Sequence, residues 1–433
     1  MQKTNRRHAI AGFAAGLMGF TALSGAAFAQ QTTLSLFAPN DQAAVAYTEA
    51  MVTAFEAANP DINVEIEVGP GGTERDNMVK SRLATGTMND VFVYNAGSLF
   101  QAINPLQTTV DLTNEPYMST ILGSFKQTVA ASDGTLRGVP YGQAMGGGIL
   151  YNKKVYEELG LSVPMTWAEF MANNAKIKDA GKAPVIQTFG DTWTSQLFIL
   201  ADFFNVQAKN PQFAEMYTRG EAKYADTPAA MGGFQKQADI FNAGDLNEDF
   251  GAATLNDGLR MLAMGEGAHY PMLTFAVGTI AQDYPDQLKD VGFFALPGDD
   301  AAVNGTTVWM PTALYISASS PNLEAAKKLV AFVASKEGGC DPWVKLNAIT
   351  GPFLIQGCEL PADVPPAVTD LQTYFTADGR TAPALEFLSP VKGPSLENIT
   401  VEVGSGIRTP KDAAALYDED VRKQAQQLGL PGW

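Results

Sequence analysis

Residues 138–170 read GVPYGQAMGGGILYNKKVYEELGLSVPMTWAEF, and this stretch decides how the fold is interpreted. The glycines at 146–148 offer backbone freedom that larger residues lack, which is typical of a hinge. An apolar strand follows at 149–151, and Asn152 stands where it can cap a helix. The stretch therefore predicts a flexible crossing that enters a strand and then a helix.

A second helix start closes the same stretch. Thr166 and Glu169 have capping-box spacing, in which each side chain accepts a hydrogen bond from the other residue's backbone N–H. Trp167 would be the first residue of that helix and follows its apolar periodicity, so we interpret it as a core residue. Local chemistry alone therefore predicts where this helix begins.

The N-terminus has the pattern of a cleaved signal peptide. Basic residues precede an apolar run at 9–23, and the small residues at 27–29 form a cleavage pattern. We exclude residues 1–29 from the fold and expect a periplasmic protein. Arg6-Arg7 leaves twin-arginine export open beside ordinary secretion. No cysteine follows the cleavage site, so we expect no lipid anchor.

Length and charge limit the architecture and the partners. A chain of 433 residues exceeds the roughly 250 to 300 residues that one hydrophobic core serves, so two lobes are expected. The formal net charge of −17 repels phosphate backbones and anionic membranes. Nucleic acid and membrane-surface roles are therefore disfavoured.

The few cysteine and histidine residues limit which metal sites and catalytic mechanisms are possible. Cys340 and Cys358 are the only cysteines, and in an oxidising compartment we expect them to form a structural disulfide. His269 is the only histidine after residue 29. A single histidine excludes multi-histidine metal sites and leaves little room for Ser-His-Asp catalysis. We interpret His269 as a structural residue.

Three apolar stretches ahead of the hinge predict an α/β fold. Residues 33–37 precede a helical pattern, and residues 62–68 alternate between apolar and polar as in a strand with one wet face. Residues 90–94 are nearly continuous in apolar character, which suits a strand buried on both faces of a parallel sheet. Asn95 would lie at the carboxyl edge of that sheet, where open α/β folds bind ligands.

Five motifs occur in one order along the chain: Asn59-Pro60, Gly86-Thr87-Met88-Asn89-Asp90-Val91, the 138–170 stretch, Met264-Gly265-Glu266-Gly267-Ala268 and Ser319-Ser320-Pro321-Asn322-Leu323-Glu324-Ala325-Ala326. With them the chain resembles the family 1 extracellular solute-binding proteins of ABC importers, the group that includes maltose-binding protein. The resemblance covers nearly all of the chain after residue 29.

The resemblance implies an α/β periplasmic binding protein fold with two lobes, a ligand cleft and a hinge of several crossings. On this basis we expect five segments after the signal peptide: 30–142 in the N-terminal lobe, 143–148 as hinge, 149–312 in the C-terminal lobe, 313–372 in the N-terminal lobe and 373–433 in the C-terminal lobe.

The resemblance also implies the function. We expect a monomeric receptor, without a cofactor, that captures a mono- or oligosaccharide and delivers it to a membrane permease. Binding of another polar solute remains open, for example a polyol, a phosphorylated or sulfonated compound, a polyamine or a metal. A secreted glycosidase that uses paired carboxylates also remains open, since that chemistry needs no histidine.

Carbohydrate binding needs planar aromatic rings beside charged and amide side chains. The candidates for ligand contact are Asn40, Asp41, Arg75, Asn95, Tyr141, Trp193, Tyr270, Trp309 and Lys392.

The polar candidates have structural alternatives. Asn40 and Asp41 would otherwise form a turn and a helix cap, and Asn95 would form a turn. Arg75 and Lys392 would otherwise be solvated side chains.

Core packing is the alternative for the aromatic candidates. Trp193 lies in a polar loop and is the preferred stacking platform, whereas Tyr141 next to the glycines suits the cleft and the core equally. Tyr270 stands where the family commonly places a tryptophan, which puts sugar stacking at that wall in doubt. Trp309 follows a glycine-containing turn near the expected return crossing.

Overall fold

Two β-sheets organise the chain in the computed structural model, which describes residues 31–376 and 379–433. The predicted signal peptide lies outside the described residues. The strands are β1 Thr32–Pro39, β2 Ile62–Gly69, β3 Val91–Tyr94, β4 Gly138–Pro140, β5 Met145–Asn152, β6 Ala183–Val185, β7 Gly267–Leu273, β8 Val291–Ala295, β9 Thr306–Trp309, β10 Ala313–Ile316 and β11 Thr381–Pro383.

Helices cover the faces of both sheets. The α-helices are Gln42–Ala58, Gly72–Thr85, Ser98–Gln101, Pro105–Thr108, Gly123–Lys126, Lys153–Leu159, Trp167–Asp179, Leu197–Ala201, Phe203–Lys209, Phe213–Thr218, Pro228–Ala243, Leu255–Met264, Ala276–Asp283, Leu323–Val333, Lys336–Gly339, Asp341–Lys345, Pro366–Phe375, Leu385–Leu388, Leu396–Gly404 and Pro410–Gln427. Short 3-10 helices span Pro116–Ser119, Gln127–Val129, Thr192–Gln196 and Leu288–Asp290.

The first sheet has the order β2-β1-β3-β10-β4 and forms what we name the first lobe. Strands β1, β2 and β3 are parallel, and β10 runs antiparallel to β3 and β4. The burial of every β3 residue confirms the strand predicted at 90–94. In the edge strand β2 the alternation buries Ile62 and Val64 but leaves Ile66 and Val68 exposed, so only half of the predicted apolar face is covered.

The second sheet has the order β11-β9-β5-β7-β6, with β8 also paired to β5, and forms the second lobe. Strand β5 is its centre, since β7, β8 and β9 all run antiparallel to it. Separate sets of buried apolar residues surround the two sheets. The protein therefore has the two-lobed α/β fold that the sequence predicted.

The glycine run at 146–148 has a different role from the one expected. These residues lie inside β5 and are buried. A Cβ added at Gly148 would lie 2.4 Å from the carbonyl oxygen of Phe294, and one at Gly147 would lie 2.3 Å from the Trp309 ring. Close packing across the sheet, rather than backbone freedom, therefore requires these glycines. Gly142, which precedes β5, has φ 133°, a conformation that other residues rarely adopt.

Short connections join the two sheets. Residues 141–144 lead from β4 to β5, and residues 310–312 lead from β9 to β10. The two connections lie side by side, because the Tyr141 N–H donates to the Thr312 carbonyl at 2.9 Å. Gln143 Oε1 accepts from the Thr350 N–H at 2.6 Å, which ties a later segment to the first connection.

The later part of the chain reaches the second lobe earlier than expected. Helix Pro366–Phe375 packs on β8, where Asp370 accepts a hydrogen bond from the Phe293 N–H at 3.1 Å and Tyr374 accepts one from the Ala295 N–H at 3.0 Å. Residues 366–372 were expected in the N-terminal lobe. These contacts place them against the second sheet instead.

The structure contains the helix caps, the disulfide and the core tryptophan that the sequence predicted. Thr166 and Glu169 form the predicted capping box, and the Asn152 side chain caps the helix Lys153–Leu159. The predicted disulfide between Cys340 and Cys358 is present. Trp167 stacks on Phe170 at 5.0 Å, in agreement with a core role.

Within the described residues, no helix combines the length and the apolar character that crossing a membrane requires.

Candidate ligand-binding site

A cleft of about 710 Å³ separates the two lobes. On the first lobe it is lined by residues that follow β1, β2 and β3, and on the second lobe by residues 190–197 and 386–398. The connections at 141–143 and 310–312 form its base. The carboxyl ends of three parallel strands thus open into the cleft, as expected for ligand sites in open α/β sheets.

Eight of the nine candidates line this cleft: Asn40, Asp41, Arg75, Asn95, Tyr141, Trp193, Trp309 and Lys392. Tyr270 does not. Its side chain is fully buried in the second lobe, and its hydroxyl group bonds the Thr188 hydroxyl at 2.6 Å. Tyr270 lies in β7 among core residues, so the alternative interpretation of core packing is the right one. The prediction that its ring stacks on a ligand is wrong.

Asp41 combines a structural role with a place in the cleft. Its side chain accepts a hydrogen bond from the Ala44 N–H at 3.0 Å and so caps the helix Gln42–Ala58. Burial raises the pKa of Asp41, while the cap and the nearby Arg75 act in the opposite direction. Asn40, next to it, is exposed at the cleft wall.

Arg75 is buried rather than solvated, which corrects the alternative expected from sequence. Its guanidinium donates to the carbonyl groups of Ala38 at 3.1 Å, Gly69 at 3.3 Å and Val93 at 2.8 Å. These three carbonyls close the ends of β1, β2 and β3. Burial lowers the pKa of Arg75 to about 10, so the group remains a cation at neutral pH. Arg75 therefore holds the strand ends that form one wall.

Asn95 and Tyr141 complete the first-lobe wall. The backbone carbonyl of Asn95 accepts from the Tyr315 hydroxyl at 3.1 Å, and the side chain is half-buried in the cleft. Tyr141 is almost fully buried, and its hydroxyl group bonds the Thr48 hydroxyl. Cleft and core interpretations both describe Tyr141, because a buried ring also lines the cavity.

Aromatic rings on the second lobe supply apolar surface. Trp193 lies on the 3-10 helix Thr192–Gln196, is half-buried, and has its ring centroid 6.0 Å from that of Phe275. Trp309 is more deeply buried, and its indole N–H donates to Glu386. Planar rings of this kind can pack on the C–H faces of a ring-shaped solute.

Lys392 forms an ion pair with Glu386 at 3.5 Å, and each side chain keeps 15% of its exposure. The expected solvated lysine is therefore wrong, because a neighbouring carboxylate and the cleft wall enclose the ammonium group. Glu386 thus contacts both Trp309 and Lys392.

Sequence reasoning missed several acidic residues of the cleft. Asp76 accepts from the Tyr94 hydroxyl at 2.7 Å, and Asp191 accepts from the Leu255 N–H at 2.7 Å. Glu386 and Glu397 come from the C-terminal part of the chain. No motif surrounds any of them. Proximity to the 390–394 segment, where Lys392 was considered, was the one available signal for Glu386.

The lobes touch at the cleft. Glu397 of the second lobe accepts a hydrogen bond from the Thr73 N–H of the first lobe at 3.2 Å. Thr73 lies in the first turn of helix Gly72–Thr85, whose N-cap residue, Gly71, offers no side-chain cap. A carboxylate is favourable there because the N–H groups of a first helical turn are unpaired and partly positive. Glu397 therefore caps a helix of the opposite lobe.

His269 is structural. Its ring is fully buried and its Nε2 lies 2.6 Å from the Tyr156 hydroxyl. Burial lowers the pKa of His269 to about 3. Within residues 31–376 and 379–433, no group of three or more His, Cys, Asp or Glu side chains is arranged to hold a metal ion.

Residues 38–339 match the protein family described as bacterial extracellular solute-binding protein. The chain belongs to this family. It is 26% identical over 291 residues to a multiple sugar-binding protein of Streptococcus mutans, a match that covers 66% of this chain and 67% of that protein. It is 21% identical over 297 residues to the melibiose/raffinose/stachyose-binding protein MelE of Bacillus subtilis, a match that covers 66% of each chain.

Solved structures share the fold of this member of the solute-binding family. A chitin oligosaccharide binding protein aligns with a TM-score of 0.79 at 20% identity, over 92% of this chain and 100% of that one. The solute-binding protein RafE in complex with raffinose aligns with a TM-score of 0.73 at 22% identity, also over 92% and 100%. Both relatives are binding proteins by name, and the shared architecture is two-lobed.

Proposed function

We propose that the protein is the periplasmic solute receptor of an ABC importer and that it captures a carbohydrate in the cleft between its lobes. The observation that carries the proposal is the pairing of aromatic faces, Trp193 and Phe275, with the carboxylate and amide groups of Asp41 and Asn95 in one cleft. Sugars offer apolar C–H faces and many hydroxyl groups, which such a lining matches. The sugar-binding names of the relatives support the same class of ligand.

Lobe closure is the proposed mechanism. A sugar that first contacts one wall recruits the other wall, and its extra contacts in the closed form shift the equilibrium between open and closed states. We propose the connections at 141–144 and 310–312 as the hinge, with strand β5 and helix Pro366–Phe375 moving as parts of the second lobe. The closed monomer then delivers the sugar to the membrane permease.

Binding without turnover is part of the proposal. Most carboxylates of the cleft already accept hydrogen bonds from the protein: Asp41 from Ala44, Asp76 from Tyr94, Asp191 from Leu255 and Glu397 from Thr73. A glycosidase needs one carboxylic acid and one carboxylate placed on either side of the scissile bond. These hydrogen bonds hold the carboxylates in fixed positions, where they can accept hydrogen bonds from sugar hydroxyl groups.

A thermal-shift screen tests the proposal. A ligand that binds only the folded state raises the midpoint of unfolding, by an amount that grows with the ratio of ligand concentration to Kd. We expect at least one sugar among galactose, glucose, melibiose, raffinose, stachyose and chitobiose to raise it by several degrees at millimolar concentration. Chromatography of the incubated sugars should show no hydrolysis. Stabilisation by none of these sugars, or their hydrolysis, would contradict carbohydrate reception.

A further inference from the structure

The charges that line the cleft are unbalanced. Carboxylate side chains outnumber cationic side chains among the described lining residues, which are Asp41, Glu74, Asp76, Asp191, Glu386 and Glu397 against Arg75 and Lys392. An anionic solute in such a cleft is repelled by the carboxylates, and it also loses hydration that only a cation or several donors would replace. Whether the cleft takes an anion therefore depends on how free its two cations are.

Both cations already interact with acceptors of the protein itself. The guanidinium of Arg75 donates to three backbone carbonyls at the strand ends. The ammonium group of Lys392 lies 3.5 Å from the Glu386 carboxylate, in a position where both side chains are only 15% exposed. A half-buried pair is screened less by salt than a surface pair, so Glu386 neutralises Lys392 effectively.

Several contacts hold Glu386 where it can neutralise Lys392. Its carboxylate also accepts the indole N–H of Trp309, and its helix, Leu385–Leu388, is joined to β9 by a hydrogen bond from the Ala384 N–H to the Val308 carbonyl at 2.9 Å. A hypothetical Cβ on Gly97 would lie 2.4 Å from the Glu386 carbonyl oxygen, so the first lobe packs directly against this residue. The first lobe therefore fixes the backbone of Glu386, and Trp309 holds its carboxylate near Lys392.

We propose that Glu386 determines the charge specificity of the cleft. By pairing with Lys392 it leaves no uncommitted cation among the described lining residues, so the cleft accepts neutral and cationic sugars and excludes sugars that bear a carboxylate or phosphate group. This inference rests on the proposed carbohydrate-binding function and adds the class of sugar. Anion-binding sites use Arg or Lys donors for charge-assisted hydrogen bonds, and here Glu386 offsets the charge of Lys392 while Arg75 already donates three hydrogen bonds to backbone carbonyls.

Matched sugars test the inference by isothermal titration calorimetry. The pairs are galactose and galacturonate, glucose and glucuronate, and diacetylchitobiose and its cationic deacetylated dimer. The decisive variant is Glu386→Gln, which keeps an oxygen acceptor for the Trp309 N–H but removes the charge that neutralises Lys392. The control is Glu419→Gln, which removes the same charge from a surface pair with Arg422.

The wild-type protein should bind the neutral member of a pair at least tenfold more tightly than the anionic member. Glu386→Gln should reduce the ratio of the anionic to the neutral sugar's Kd by fivefold or more. Glu419→Gln should leave this Kd ratio unchanged. Raising sodium chloride from 50 to 500 mM should also reduce the wild-type preference for the neutral sugar, because the Debye length falls from about 14 Å to about 4 Å and the repulsion of the anion is screened.

A second variant keeps the test valid if Glu386→Gln does not fold, as judged by circular dichroism. Lys392→Gln leaves Glu386 without its partner and should raise the affinity for the cationic dimer, relative to diacetylchitobiose, by threefold or more.

Three results would overturn the inference. The wild-type protein could bind an anionic sugar as tightly as its neutral partner or more tightly, or a folded Glu386→Gln protein could keep the wild-type ratio of the anionic to the neutral Kd. The third result is a Lys392→Gln protein whose affinity for the cationic dimer, relative to diacetylchitobiose, does not rise. The first result leaves solute reception intact. If neither these sugars nor any sugar of the thermal-shift screen binds, the proposed function fails and the inference fails with it.

Discussion

Trp193 presents the least buried ring among the tryptophans of the cleft, since Trp309 and Trp343 keep only 5% and 7% of their exposure. Removing a ring that covers a bound sugar costs about 1 to 3 kcal/mol, by analogy with the burial of an aromatic side chain. Trp193→Ala should therefore weaken sugar binding by about fivefold to 150-fold. Calorimetry with the tightest sugar of the thermal-shift screen measures this change.

The matched control for Trp193 is Trp433→Ala. Trp433 packs against Tyr217 and donates to the Thr218 carbonyl, away from the cleft lining. Its removal should lower stability without changing affinity. If Trp193→Ala bound the sugar as tightly as the wild-type protein does, Trp193 would have to be excluded from the site.

His269 makes stability depend on pH. Its folded-state pKa is about 3, whereas an unfolded histidine titrates near 6.5. Below about pH 6.5 the unfolded chain binds a proton at His269 that the folded protein does not bind. The contribution of neutral His269 to the free energy of unfolding is therefore present above pH 6.5 and is lost as the pH falls towards 3. The slope approaches about 1.4 kcal/mol per pH unit.

The comparison that isolates this effect is with His269→Gln, which retains a hydrogen-bonding group for Tyr156. Urea unfolding at pH 7, 6, 5 and 4 should show the wild-type advantage over the variant shrinking with each step. A constant difference across that range would mean that His269 titrates normally in the folded protein.

The sequence located the loops of the site better than the side chains that complete it. Asp41 and Asn95 follow predicted strands, so their place at the cleft follows from fold topology. Tyr270 also lies near the expected position, but its hydroxyl partner Thr188 is 82 residues away and no local pattern reveals that contact. Glu386 and Glu397 enter the cleft only because short helices from the end of the chain pack there.

At the scale of elements, strand β5 depends on glycines for its packing. Adding a Cβ at Gly148 would bring it to 2.4 Å from the Phe294 carbonyl oxygen, which cannot move without breaking the pairing of β5 with β8. Overpacking of this kind costs about 1 to 3 kcal/mol. Gly148→Ala should therefore lower the free energy of unfolding by that amount in chemical denaturation.

Gly123→Ala serves as the comparison. Gly123 begins the helix Gly123–Lys126, and a Cβ there would meet no atom within 4 Å. We expect stability to stay within about 0.5 kcal/mol of the wild-type value, as for substitutions away from special features. Equal stability of Gly148→Ala and the wild-type protein would show that β5 can open enough to accept a side chain.

Elements were predictable where local chemistry defines them. Caps such as Thr166 with Glu169 need only residues three apart, and strand β3 is marked by its own apolar run. The lobe to which residues 366–372 belong was not predictable, because it depends on Asp370 meeting the backbone of β8, 77 residues earlier in the chain. The exposure of Ile66 and Val68 likewise depends on which helices cover the edge of the sheet.

At the scale of the whole molecule, the cap that Glu397 places on helix Gly72–Thr85 links the lobes. Loss of a helix cap typically costs about 1 kcal/mol, which is about a fivefold change in an equilibrium constant. Glu397→Ala should therefore shift the unliganded protein towards the open form. Small-angle X-ray scattering should show a larger radius of gyration without sugar.

Glu402→Ala on the same helix is the appropriate comparison, because Glu402 pairs with Arg408 rather than with the first lobe. Its radius of gyration should match that of the wild-type protein. If Glu397→Ala also matched the wild-type protein, the contact with Thr73 would have no influence on the opening of the lobes.

The neighbouring connections at 141–144 and 310–312 limit how the lobes can move. They are bonded to each other through Tyr141 and Thr312, and Gln143 fastens them to the segment around Thr350. If these connections are the hinge, as we propose, we expect the lobes to move mainly by rotation about one axis along the base of the cleft. A single angle would then be the quantity that a bound sugar sets and that the proposed permease recognises.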